Sequence, residues 1–249
     1  MKNILTALLL ISFNSSIGQV FIDRGIIEYE VKTNIKKTMG NSSWAESMKE
    51  KLPQFKTGYY NLAFTPSASI YKFAKWEDNS GIPEYMKKSE EDNSWFINYE
   101  NHSVVMQKNI FGTILNISDN LKNIKWKLTN ESREIAGFSC RKAVGIIFDS
   151  VYVFAFYTDG ITVSGGPCSI TGLPGMILGM TIPRLYTSWI ATKVNTYGVK
   201  ENEIKMPSAK KGMKYYEIKK VLDDRLKEWV SDDEDDKKWA EQMLWQTFL

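Results

Sequence analysis

The chain has 249 residues, 43% of them hydrophobic, enough to bury a sizeable core in one large domain or two small ones. Thirty-two basic and 29 acidic side chains leave a formal charge of +3, too small to point to nucleic acid or an anionic membrane as partner. The single histidine, His102, excludes zinc sites built on two or three histidines and the HExxH protease pattern.

Taken in chain order, Lys2, the apolar run Ile4 to Phe13 and the small residues Ser16 and Gly18 ahead of Gln19 read as a secretory signal peptide cleaved after Gly18. The run is too short to span a bilayer, no later stretch reaches about twenty apolar residues, and no cysteine stands at the cleavage point for a lipid anchor. The expected location is therefore the periplasm or the cell surface, with no transmembrane segment after cleavage. Residues 19–249 are expected to form one domain.

Gly25 to Asn34 alternates as a first strand, and Asn41 to Leu52 reads as a helix with Trp44, Met48 and Leu52 four apart and Pro53 as its stop. Gly58 to Thr65 and Ser67 to Trp76 form a candidate hairpin, and polar Glu77 to Ser94 reads as a long loop. A second hairpin pairs Trp95–Glu100 with Ser103–Gln107 around Asn101 and His102, and Lys108 to Leu121 holds one more strand. Ile124 to Thr129 puts Trp126 and Leu128 on one side of a half-buried strand. Ala143 to Phe148 and Val151 to Thr158 then flank a turn at Asp149-Ser150.

Val151 to Thr158 is apolar on both faces, so it is either covered on both sides or lines a cavity with one of them. Tyr152, Phe154 and Phe156 from this strand, with Trp126 and Trp189, form the candidate apolar ligand face. Asp159-Gly160 turns the chain into Ile161–Val163, and Thr187 to Thr196 makes a last strand. Tyr215 to Val230 is an amphipathic helix, and Ser231 with Glu234 reads as the capping box of a second, whose acidic residues Asp232 to Asp236 suit a helix N-terminus. The expected class is α+β: one strongly curved antiparallel sheet, open or half-barrel-like, with an N-terminal helix and two C-terminal helices packed on it.

Chemistry is harder to read. Cys140 and Cys168 suit a disulfide in an exported chain; a bridge closing a loop of about 28 residues would contribute roughly 3–4 kcal/mol, and two buried free thiols are the other reading. No serine or cysteine stands in a nucleophile motif, and His102 reads as an ordinary turn residue. Gly172-Leu173-Pro174-Gly175 lacks the lysine of a phosphate loop and the spacing of a dinucleotide site, and reads as a sharp bend into the buried run Met176-Ile177-Leu178. No catalytic, cofactor-binding or metal-binding residue is expected.

Gly172 to Leu178 closely resembles the name motif of the GLPGLI family, exported proteins found chiefly in Bacteroidetes, with Met176 where that family has leucine. Trp126, the segment Gly137 to Ala143, and Phe156-Tyr157-Thr158 ahead of Gly166-Pro167 extend the resemblance over about residues 124–194. The resemblance implies compartment and architecture, and transfers no functional residue. The function expected on these grounds is a non-enzymatic envelope protein that binds an apolar ligand such as a lipid, or serves an outer-membrane protein partner. The alternatives are a hydrolase-type enzyme with an unrecognised site and a purely structural envelope component.

Overall fold

The chain enters at the middle of its own sheet and leaves it there again. The structure, a computed structural model, describes residues 21–40, 43–78, 81–207, 212–227 and 233–249; the expected signal peptide and the expected cap Ser231 lie outside them. The strands are β1 (Gly25–Asn34), β2 (Phe55–Phe64), β3 (Ala68–Trp76), β4 (Ser94–Asn98), β5 (Ser103–Ile110), β6 (Thr113–Asn120), β7 (Lys127–Ile135), β8 (Phe138–Ile147), β9 (Val151–Thr158), β10 (Met176–Ile182) and β11 (Thr187–Asn195). Among the described residues they form one sheet in the order β6-β5-β4-β3-β2-β1-β11-β10-β9-β8-β7, with every neighbouring pair antiparallel. One arm meanders outward from β1 to β6, the other inward from β7 to β11, and the two meet at the β1–β11 seam. The sheet is curved and stays open, as expected.

Register shifts at Glu28/Tyr29, Tyr59/Tyr60, Leu128/Ser132 and Ile177/Gly179 break the ladders locally, the kind of irregularity that bends a strand and tightens its twist. The open edges are protected in two ways. Along β6, Ser118 donates to the Met213 carbonyl and Met213 to that of Asn116, both at 2.9 Å, so a passing segment covers the edge. On the opposite edge, β7 turns Ser132, Arg133 and Glu134 to solvent, which discourages pairing with another chain.

The helices are α1 (Ile35–Thr38), α2 (Ser43–Lys51), α3 (Glu84–Glu91), α4 (Tyr215–Lys227) and α5 (Glu234–Thr247). Helix α4 buries Ile218, Leu222 and Leu226 as its stripe predicts. Helix α5 is capped by Asp233, whose side chain accepts from Asp235 N, so the acidic run serves the helix start. Helix α3 corrects the sequence reading of 77–94 as loop. Its sequence EYMKKSEE carries too few apolar residues for a helical stripe, and tertiary bonds fix it instead. Gln107 Nε2 donates to the Asp92 carbonyl at 2.9 Å, and buried Asn93 accepts from Asn109 N at 2.9 Å, docking the end of α3 onto β5.

Candidate functional site

A cleft of about 670 Å³ opens between the inner face of the sheet and α3. Register builds its floor. Tyr71 of β3 pairs with Trp95 of β4, Trp95 pairs with Met106 of β5, and Lys108 follows Met106 by two residues on the same face. Tyr29 of β1 pairs with Tyr60 of β2, and Lys56 lies four residues before Tyr60 on that strand. From the other arm, Trp189 of β11 pairs with Val31. The aromatic wall is continuous: Tyr60 stacks on Tyr71 at 5.2 Å between centroids, Tyr71 meets Trp95 at 5.3 Å, and Tyr29 stands edge-on to Tyr71 at 6.1 Å.

Into this aromatic surface α3 lowers a single carboxylate. Glu90 receives the Lys56 ammonium on Oε1 and the Tyr60 hydroxyl on Oε2 at 2.9 Å. Burial, and then the Glu90 charge, raise the Tyr60 hydroxyl well above its ordinary pKa, so it stays a donor. The second lysine of the cleft, Lys108, is 5% exposed and holds its amine 4.4 Å from the centre of the Trp95 ring. Burial pulls this amine down to about 8, opposed by Cys168 and Glu90 and reinforced by Lys56. The cleft thus holds a fixed carboxylate beside an amine that changes charge near neutral pH, against aromatic faces.

The residues singled out from sequence go elsewhere, with two exceptions. Trp189 and Cys168 line the cleft. The five residues of the expected apolar face do not share one face. Trp189 pairs with Met180, and Met180 with Ala155, so Trp189 lies on the Ala155 side of the sheet, opposite Tyr152, Phe154 and Phe156. Tyr152 is exposed, Phe156 is covered by the Arg133 guanidinium at 3.6 Å, and Trp126 donates to the Thr171 carbonyl at 2.9 Å. The expected Cys140–Cys168 disulfide is corrected: both thiols are free and buried. Cys140 Sγ points back along β8 to the Phe138 carbonyl at 3.4 Å, whereas Cys168 faces the cleft near Lys108. Burial pushes Cys140 up to about 11 and Cys168 up to about 12, so neither is a ready nucleophile. His102 sits exposed in the β4–β5 turn at φ 52.

The 172–178 motif is a bend, as its composition predicts. Gly172 and Gly175 take φ 94 and φ 140, Gly175 N donates to the Leu173 carbonyl at 2.8 Å, and Leu173, Met176 and Ile177 are buried while Pro174 faces solvent. A side chain on Gly175 would overlap the Thr158 carbonyl oxygen, so the bend lets β10 pass directly against the end of β9.

Sequence reasoning misses Glu90, because its helix reads as loop, and misses Lys108 although a signal is present. Val104, Met106, Lys108 and Ile110 alternate on the buried side of β5, and a lysine in that register is out of place on packing grounds alone. A second cleft, of about 780 Å³, lies under α4 and α5. Asp119 there accepts from Tyr215 N at 3.1 Å, and Lys122 lies 3.6 Å from the centre of the Tyr215 ring.

The family model described as N-glycanase peptide, N-terminal domain, matches residues 84–218, more than half of the chain. Among solved structures, PNGF-II in a P21 crystal form superposes with a TM-score of 0.51 at 18% identity, over 80% of this chain and 33% of that one. Its C2 form gives 0.49 at 18% identity, over 77% and 30%. An uncharacterized conserved protein from Thermus thermophilus gives 0.39 at 9% identity, over 76% and 90%. The chain therefore spans about a third of PNGF-II, and that likeness concerns the fold. A search of curated proteins finds no match. The matched family is a different one from the GLPGLI family that Gly172–Leu178 resembles. The match also overturns the expected non-enzymatic role, because the family is named for an N-glycanase, an enzyme.

Proposed function

We propose, on the premise that this chain belongs to the N-glycanase N-terminal domain family, that it is a hydrolase-type domain receiving N-glycosylated peptide in the cleft beneath α3. The observation that carries this reading is the reach of the family match. It begins at the first residue of α3 and takes in Glu90, Trp95, Lys108, Cys168 and Trp189, all of which line the cleft. Aromatic walls suit the apolar faces of sugar rings, and a small number of convergent polar groups sets orientation.

Freeing a glycan from a peptide nitrogen needs a base that takes a proton from water and an acid that returns one to the leaving nitrogen. Glu90 offers a carboxylate for the first task, and the Lys56 ammonium held on its Oε1 carries a proton for the second. The apolar leader at 4–13 supports an exported protein, which would meet glycoconjugates outside the cell.

The test incubates the full chain with a neutral N-glycopeptide and follows released glycan by mass spectrometry, with saturation-transfer NMR reporting binding. The expected result is release by the wild type that falls at least tenfold in Glu90→Gln, with sugar protons saturated from the aromatic wall in both proteins. A glycopeptide neither cleaved nor saturated would remove the proposal.

A further inference from the structure

The polar groups of the cleft are not all satisfied from within the protein, and the pattern of the unmet ones describes a ligand. Of the two lysines, Lys56 is paired with Glu90. Lys108 forms no ion pair or side-chain hydrogen bond among the described residues, although 95% of its surface is removed from solvent. A buried ammonium with no hydrogen-bonded counter-anion is costly to hold, and the Trp95 face and the nearby Glu90 charge compensate only part of the lost hydration. Three further atoms on residues of this cleft are buried without a partner: the Trp95 indole N–H, a donor, Asn109 Oδ1, an acceptor, and the Tyr71 hydroxyl, which can be either. All four residues line the same cavity.

The three kinds of demand differ, and together they are selective. A neutral sugar meets the donor and the acceptor with its hydroxyls but leaves the charge uncompensated. A small inorganic anion meets the charge but leaves Asn109 without a donor and the aromatic wall without apolar surface to cover. A pyranose ring bearing a carboxylate meets all three. Its carboxylate pairs with Lys108, its hydroxyls can serve as donor and acceptor to the unmet groups, and its C–H face lies along the aromatic wall. We propose that the cleft takes an acidic sugar, with Lys108 as the group that selects for its carboxylate. This rests on the reading that the cleft receives the glycan of a glycopeptide, and adds the class of glycan.

The protonation of Lys108 gives a second handle. The groups facing it are Glu90 from α3, Lys56 from β2 and Cys168 from the loop before β10, and their net effect with burial is to hold the amine at about 8. The lysine is therefore a cation below that pH and neutral above it, so the preference for an acidic sugar is present at pH 6.5 and lost at pH 9.5.

The experiment measures binding to the full chain by titration calorimetry at both pH values and constant ionic strength. The probes are a sialylated N-glycopeptide, the same glycopeptide after desialylation, sodium glucuronate, and sodium acetate. The expected result at pH 6.5 is roughly tenfold tighter binding of the sialylated form than of its neutral counterpart. That advantage should disappear at pH 9.5 and in Lys108→Met, with a thermal melt confirming that the variant is folded. The pH arm uses the wild type, so the inference stays testable if the variant does not fold. Weak glucuronate binding beside strong sialylated-glycan binding assigns the carboxylate to sialic acid, and the reverse assigns it to a uronic acid. Equal affinity for the two glycopeptides overturns the inference while leaving the glycopeptide reading intact. Binding of glucuronate with neither glycopeptide bound supports the acidic-sugar site and overturns the glycopeptide reading. Acetate competing as well as glucuronate reduces the site to a bare anion hole and overturns the sugar part.

Discussion

Lys108 sets function against stability in one side chain. Its amine titrates at about 8 in the fold against 10.5 in the open chain, so the unfolded state binds more protons between those values and stability rises with pH across that window. Below pH 8 the full penalty applies, about 3 kcal/mol by the free energy of the shift. Lys108→Met should therefore stabilise the protein at pH 7 by up to about 3 kcal/mol, and the gain should shrink to nothing as pH climbs from 8 to 10.5. Urea unfolding of both proteins at pH 7, 9 and 10.5 checks this; a gain that does not depend on pH would mean that the charge is not what the substitution removed. The glycines of the 172–175 bend make the opposite case, with geometry fixed and no charge involved. Gly175→Val forces a side chain into the Thr158 carbonyl and should yield no folded protein. Gly172→Ala meets only the Trp126 ring at 3.4 Å and should cost about 1–2 kcal/mol for its positive φ. Thermal melts of the two variants give the ranking directly, and a folded, thermostable Gly175→Val would show that the bend is not under this constraint.

At the scale of elements, α3 is held by what it touches. Asn93 ties its C-terminal end to β5 through Asn109 N, and Glu90, three residues earlier, is thereby set over Lys56 and Tyr60. Asn93→Ala should cost roughly 1–3 kcal/mol for the buried bond lost. It should also speed amide exchange across 84–91 far more than across β9, since a helix of eight residues is too short to hold itself in water. Equal acceleration in both would refute a local tether. The same fact explains what is legible in the sequence. Most strands declare themselves, because alternation in Gly25–Asn34 or Phe55–Phe64 records which face is buried. The bend at 172–175 declares itself through glycine and proline. Helix α3 does not, since EYMKKSEE carries no stripe and its cause lies in residues fifteen or more positions away. The cleft is illegible for the same reason. Lys56, Glu90, Lys108 and Trp189 belong to four elements and meet only once the register of the sheet is known. The apolar face expected at Tyr152, Phe154, Phe156, Trp126 and Trp189 shows the converse error: it groups aromatic residues by type, and pairing of Ala155 with Met180 and of Met180 with Trp189 puts them on different faces.

At the scale of the whole molecule, the seam decides how the two arms behave. Each arm is a meander whose neighbours in sequence are neighbours in the sheet, so each gathers its contacts between strands consecutive in the chain. The β1–β11 joint instead closes contacts between the two ends of the sheet-forming chain, the slow, entropically costly kind. One bond reaches past the seam itself: the Tyr29 hydroxyl donates to the Ile177 carbonyl of β10 at 2.5 Å, across a separation of 148 residues, in surroundings where no water can replace it. The cleft straddles this joint, since Tyr60 and Trp95 come from one arm and Trp189 from the other. Tyr29→Phe removes the bond and leaves a buried carbonyl short of a donor, which should lower stability by about 1–2 kcal/mol. Because β1 and β11 are the central strands, the loss should not stay local. Tryptophan fluorescence and far-ultraviolet circular dichroism should report one coincident urea transition in the variant as in the wild type, displaced to lower midpoint, with Trp95 and Trp189 becoming exposed together. Two separated transitions, with the β1–β6 arm outlasting the β7–β11 arm or the reverse, would show that the arms fold independently. A ligand seated across the seam would then hold them together by binding both.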